Sequence, residues 1–176
     1  MEFFDVLASR NSIRAFAPTP LEHEKLQAIL NAANRAPSAG NLQSYEIYMA
    51  QRPAQTRAVA GATFNQRFVG QAPVLLVFCS HPARALEEYG ERGAQLYSVQ
   101  DATIACAFAM LAATAQGLAT VWIGAFDPDA VRKVIGAPVG ITPVAILPIG
   151  YPAERPQLTT RRRLDDLVHE MGQRTG

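Results

Sequence analysis

Cysteine is nearly absent from this chain: 176 residues carry two, Cys79 and Cys106, each inside an apolar run. That usage excludes a disulfide scaffold and predicts buried packing thiols in a reducing compartment. Histidine is almost as sparse. His23, His81 and His169 lie far apart, and His169-Glu170-Met171-Gly172-Gln173 opens like a zinc-protease helix but sets glutamine where the second histidine ligand must stand. No metal site is predicted. An excess of charge is also missing: 16 Lys and Arg against 15 Asp and Glu leave a net charge of +1, no electrostatic footprint for nucleic acid or an anionic membrane. Neither a Gly-x-Gly-x-x-Gly after a strand nor a Walker A sequence occurs, and Ser38 lacks the glycine frame of a nucleophile elbow. The longest apolar stretch, residues 104–115, is too short and alanine-rich for a bilayer span, and Met1-Glu2-Phe3-Phe4-Asp5 is acidic where a signal peptide is basic. Length and a 49% apolar content predict one well-buried domain over residues 1–176, soluble and cytoplasmic.

Apolar spacing and turn residues order the elements. Phe3, Val6 and Leu7 predict a short opening helix. Thr19-Pro20-Leu21-Glu22 reads as N-cap, first-position proline and capping glutamate of a second helix, striped by Leu26, Ile29, Leu30 and Ala33 and stopped at Ala36-Pro37. Residues 45–49 alternate as a strand, 74–79 form a fully buried one, and 57–70 are helix and loop between them. Residues 84–93, the most charged segment, are either a lid or a plain solvated helix. Residues 95–116 predict a helix that is apolar on every side from Ile104 onward and so must be buried all round, partly against a second subunit. Gly117 caps it. A strand over 119–123, a helix from Asp127-Pro128 to about Ile135, a strand over 142–149 and a last amphipathic helix marked by Leu164, Leu167, Val168 and Met171 complete the chain. The predicted class is α+β, a central mixed sheet flanked by helices, with a long buried helix at a dimer interface.

Two basic runs stand at opposite ends. Arg10, Ser12 and Arg14 share one face of an extended backbone, and Arg161 and Arg163 repeat the spacing; converged, they suit a dianionic phosphate, and apart they are solvated surface arginines. Pro37-Ser38-Ala39-Gly40-Asn41 is a small-residue loop that either offers N–H groups to a flat ligand or makes an ordinary turn. With no nucleophile or metal constellation, no catalytic side chain is assigned, and redox or group-transfer chemistry must come from a bound organic cofactor.

Taken in order, Ser9-Arg10-Asn11-Ser12-Ile13-Arg14-Ala15-Phe16, Ala36-Pro37-Ser38-Ala39-Gly40-Asn41-Leu42-Gln43, Gly117-Leu118-Ala119-Thr120-Val121-Trp122-Ile123-Gly124, Pro148-Ile149-Gly150-Tyr151-Pro152 and Arg161-Arg162-Arg163-Leu164 resemble the FMN-dependent nitroreductase family nearly end to end. The resemblance implies a homodimer with two interface FMN sites. It places Arg10, Asn11, Ser12 and Arg14 on the flavin, with Arg10 and Ser12 toward the phosphate and Arg14 nearer the ring. Arg161 and Arg163 join them on the phosphate, and Pro37, Ser38, Ala39 and Asn41 come from the partner subunit. Asn65 would face the pyrimidine edge, with Phe68 where some relatives carry lysine. Gly124 and Ala125 would bring a backbone N–H toward flavin N5, with Ile149 and Gly150 close by. The implied activity is ping-pong transfer of a hydride from NADH or NADPH, by way of flavin N5, to a nitroaromatic, quinone or similar small acceptor. The alternatives are a flavin-binding protein without reductase activity and a flavin-cleaving or dehalogenating relative. Phe64, Phe68, Tyr89, Tyr97, Trp122 and Phe126 are candidates for shaping the acceptor space, or plain core.

Overall fold

The computed structural model describes residues 1–156 and 159–172. Its centre is a four-stranded sheet in the order β1 (Tyr45–Ala50), β2 (Val74–Ser80), β4 (Thr142–Gly150), β3 (Ala119–Thr120). Every residue of β2 is buried, because it pairs on both edges and is covered on both faces. Side chains alternate across a strand, so β2 sorts its apolar run onto two cores. Leu75, Val77 and Cys79 face one with Phe16, Val59 and Val131; Leu76 and Phe78 face the other with Leu26, Ile29 and Ala105. The first core is closed by helices α3 (Pro53–Gly61) and α6 (Pro128–Val134), the second by α2 (His23–Asn34) and α5 (Ser98–Ala115). The four strands pair antiparallel throughout, where the sequence predicts a mixed sheet; the parallel pairing of Ser12 with Thr120 is an isolated bridge to a residue outside the strands.

Helix α1 (Phe3–Ser9) buries only Val6. Helix α4 (Pro82–Arg92) occupies the charged segment and runs through a single π turn, Gly93–Tyr97, into α5. By length and composition the 34-residue run Pro82–Ala115 passes for a membrane span, but α5 packs against β2 and β4 and is the core helix of the fold. Its burial is one-sided. Ala102, Ala105, Cys106, Ala109 and Ala113 are buried, whereas Val99 and Phe108 remain 36% and 38% exposed.

Three elements differ from the sequence expectation. Helix α2 begins at His23 and not after Thr19, because the Glu22 carboxylate accepts from the Tyr151 hydroxyl at 2.7 Å and from Lys25, and caps nothing. The third strand is two residues long, with Ile123 returning to the sheet only as a bridge to Ile146. The last helix is absent: Leu164, Leu167, Val168 and Met171 are exposed, so their stripe has no core to pack against and only a 3-10 turn at Leu164–Asp166 forms. Helix α6 starts as read, with the Asp127 side chain accepting from Asp129 N and Ala130 N.

Candidate functional site

Helix α1 ends at Arg10, whose backbone leaves the helical region, and the next residues extend across the edge of the sheet. Ile13 N donates to Thr120 O at 3.1 Å, Ala153 N to Ala15 O at 2.9 Å and Ala17 N to Tyr151 O at 2.9 Å. These bonds bury Ile13 and Phe16 and leave Ser12 and Arg14 exposed and Arg10 half-buried. Neither guanidinium of the row, Arg10 or Arg14, has a partner among the described residues. Glu154 closes the row by accepting from Arg14 N. Thr120 pairs with Ser12 on one side and Ile149 on the other, which sets Ile149 and Gly150 one strand away from the row. The Ile149 side chain is fully buried, so it belongs to the core. Gly150 is required by packing: a Cβ there would lie 2.6 Å from Pro73 Cδ.

Asn65 and Gly124 are joined by a residue to which the sequence reading gave no role. Phe64 and Asn65 adopt φ of 45° and 66°, and Gln66 Nε2 then donates to Ala125 O at 2.7 Å and Thr63 O at 3.0 Å. Asp127 N donates to Ala62 O at 3.0 Å, fastening the same two segments a second time. Gly124 and Ala125 are exposed. Of the aromatic candidates, Phe126 is buried in the core, while Phe64, Tyr89 and Trp122 are exposed.

The third group lies elsewhere. Residues 38–43 turn through φ of 54° at Gly40, 56° at Asn41 and 50° at Gln43, closed by Gln43 N donating to Ser38 Oγ at 3.0 Å. Asp101, in the first turn of α5, accepts from Ala39 N at 3.0 Å and Ser44 N at 3.2 Å. Pro37, Ser38 and Ala39 line an open groove of 580 Å³ with Tyr97, Gln100 and Thr103. Asn11 and Ile13 instead line a smaller cavity with Thr114. At roughly 1.5 Å of rise per residue, Asp101 and Thr114 stand about 20 Å apart along α5. The loop and the arginine row therefore occupy opposite ends of this helix.

Arg161 and Arg163 are exposed, and their partners among the described residues are local. Arg161 donates to Thr159 Oγ1 at 2.8 Å and Arg163 to Asp165 at 3.1 Å; no hydrogen bond among the described residues ties either to Arg10, Ser12 or Arg14. Desolvation pushes the Cys79 thiol up to about 12 and the Cys106 thiol higher still, so neither is a nucleophile at neutral pH. Among the described residues, no group of three His, Cys, Asp or Glu side chains is placed to hold a metal.

These features define an α+β protein in which two arginines without partners among the described residues and a small-residue loop stand at opposite ends of the core helix. The family model described as the Nitroreductase family matches residues 7–66 and 50–151, and the chain belongs to that family. A protein described as NADH dehydrogenase from Thermus thermophilus is 32% identical, the match covering 90% of this chain and 91% of the relative. One described as FMN reductase [NAD(P)H] from Bacillus subtilis is 30% identical, over 96% of this chain and 73% of its own. The solved structure of NADPH:FMN oxidoreductase from Vibrio harveyi, complexed with NAD+, superposes with a TM-score of 0.88 at 25% identity, covering 98% of this chain and 78% of that one. Asp101, Gln66 and Glu154 are the residues that sequence reasoning missed. Asp101 is the one charged residue of α5, but nothing local to it names the loop it holds.

Proposed function

We propose that residues 1–176 act as one domain of a homodimeric, cytoplasmic, NAD(P)H-dependent FMN oxidoreductase with two FMN sites, each assembled from both subunits. One observation carries the reading: the arginine row and the small-residue loop lie about 20 Å apart along α5, whose outer face leaves Val99 and Phe108 uncovered. A second copy packed on that face would bring its loop to this copy's row and cover the apolar stripe. The residues present fit the cofactor. Two guanidiniums without partners among the described residues, beside Ser12, are a donor set for a dianionic phosphate, and a loop of small residues tolerates close approach by a planar ring. Its relatives' names and the two free thiols support the activity and the reducing compartment.

Bound FMN would supply hydride chemistry at N5, accepting from NADH or NADPH and passing electrons to a nitroaromatic, quinone or similar small acceptor in a ping-pong sequence. The chain's own work is positional and electrostatic. Arg10 and Ser12 would hold the phosphate, joined by Arg161 and Arg163 once Arg163 leaves Asp165. Arg14 would place positive charge beside the ring, where negative charge develops on reduction. Asn65, fixed through Gln66, would face the pyrimidine edge, and Gly124 and Ala125 would turn backbone N–H groups to the ring. Pro37, Ser38, Ala39 and Asn41 would come from the second subunit.

Purified protein is expected to be yellow and to bleach anaerobically with NADH or NADPH, then recover its colour with a quinone or nitroaromatic. Colourless protein that rejects added FMN would refute the reading. Yellow protein that neither nucleotide bleaches would leave a flavin-binding protein without reductase activity.

A further inference from the structure

We infer that Asp101 is a positioning residue for the cofactor site of the opposite subunit: its buried carboxylate fixes the shape in which loop 37–44 is presented across the interface. The inference rests on the composite FMN site proposed above.

Asp101 is 2% exposed and forms no ion pair among the described residues. Its two hydrogen bonds, from Ala39 N at 3.0 Å and Ser44 N at 3.2 Å, take hold of the loop at both ends of its turn. Between those ends the chain is left-handed at Gly40, Asn41 and Gln43. Two of the three are not glycine, and such backbone persists only where its surroundings over-determine it. Local bonds close the turn on itself: Asn41 N donates to Ser38 O and Leu42 N to Ala39 O. Asp101 is what fastens the turn to α5. Ser44 is wholly buried with its Oγ unpartnered, so its backbone N–H bond to Asp101 anchors the residue while its hydroxyl gives nothing. The turn is also pressed from outside, since a Cβ on Gly40 would lie 2.4 Å from the Tyr89 hydroxyl oxygen.

Helix α5 carries both this carboxylate and the uncovered stripe of Val99 and Phe108. Asp101 therefore ties Ser38, Ala39 and Asn41 to the interface helix, while Ser44 O, accepting from His81 N at 2.9 Å, ties the end of the loop to the sheet. It touches no cofactor and acts through the loop. In Asp101→Asn the amide oxygen still accepts one N–H, but the new NH2 meets the other donor to donor.

The test compares wild type, Asp101→Asn and Asp101→Ala by hydrogen exchange at Ala39 and Ser44, FMN affinity, visible circular dichroism of the bound flavin and sedimentation. Asp101→Asn is expected to stay dimeric, exchange faster at both amides, bind FMN about tenfold more weakly and alter the flavin dichroism, with a larger loss in Asp101→Ala. Faster exchange with wild-type affinity and dichroism overturns the positioning role. Unchanged exchange overturns the clamp, and failure of the isosteric Asn variant to fold marks a purely structural carboxylate. Wild-type protein that binds no FMN removes the composite-site reading instead, while the exchange measurement still decides whether Asp101 holds the loop.

Discussion

Arg10→Ala perturbs the row with little else at stake. The guanidinium has no partner among the described residues, and the bond that closes α1, Arg10 N to Val6 O at 3.0 Å, is a backbone bond that alanine keeps. Truncation should leave the melting temperature of the apoprotein unchanged and fall on the ligand. A hydrogen bond to a charged group contributes about 1.5–3 kcal/mol, so FMN affinity should drop by about 10- to 160-fold. Arg163→Ala should lose less. Arg163 must first leave Asp165, an exposed pair at 3.1 Å, and surface pairs of this kind contribute up to about 1 kcal/mol. Titrating apoprotein with FMN at about 0.1 M and 1 M salt, where the screening length falls from roughly 10 Å to 3 Å, should narrow the gap between wild type and Arg10→Ala. Wild-type affinity in Arg10→Ala at both salt concentrations would refute the phosphate assignment.

Gly150→Ala should destabilise the fold by about 1–3 kcal/mol in thermal or denaturant unfolding, because the new methyl meets Pro73 and Phe16, both held by packing. Tyr151→Phe should flatten the pH dependence of the melting temperature at both ends. The Tyr151 hydroxyl bond holds the Glu22 carboxyl below its ordinary 4.5, a contribution present above 4.5 and lost as pH falls through the lowered value. The Tyr151 bond likewise holds Lys25 above 10.5, a contribution full below 10.5 and lost as pH rises past the raised value. Identical acid and alkaline slopes in wild type and variant would contradict both assignments.

What the sequence made legible is what short-range chemistry decides. Asp127-Pro128 carries its own cap, and the helix starts there. The backbone is extended at Arg10, and beyond it Ile13 is buried between exposed Ser12 and Arg14, an alternation that local spacing predicts. The errors came from partners far along the chain. Glu22 looked like a capping residue until Tyr151, 129 positions away, took its carboxylate. The stripe of Leu164, Leu167 and Val168 has helical spacing but no apolar surface of its own protomer to meet. The Asp101 clamp was illegible for the same reason: nothing local in residues 38–44 says which carboxylate will receive their N–H groups.

The composite site is tested most directly in a mixed dimer of one Arg10→Ala subunit and one Ser38→Trp subunit, separated by distinct tags and titrated with FMN. If each site takes its row from one protomer and its loop from the other, both lesions fall on one site and the second is intact, giving one FMN per dimer at wild-type affinity. Two weakened sites and none intact would place row and loop in the same subunit and contradict the account.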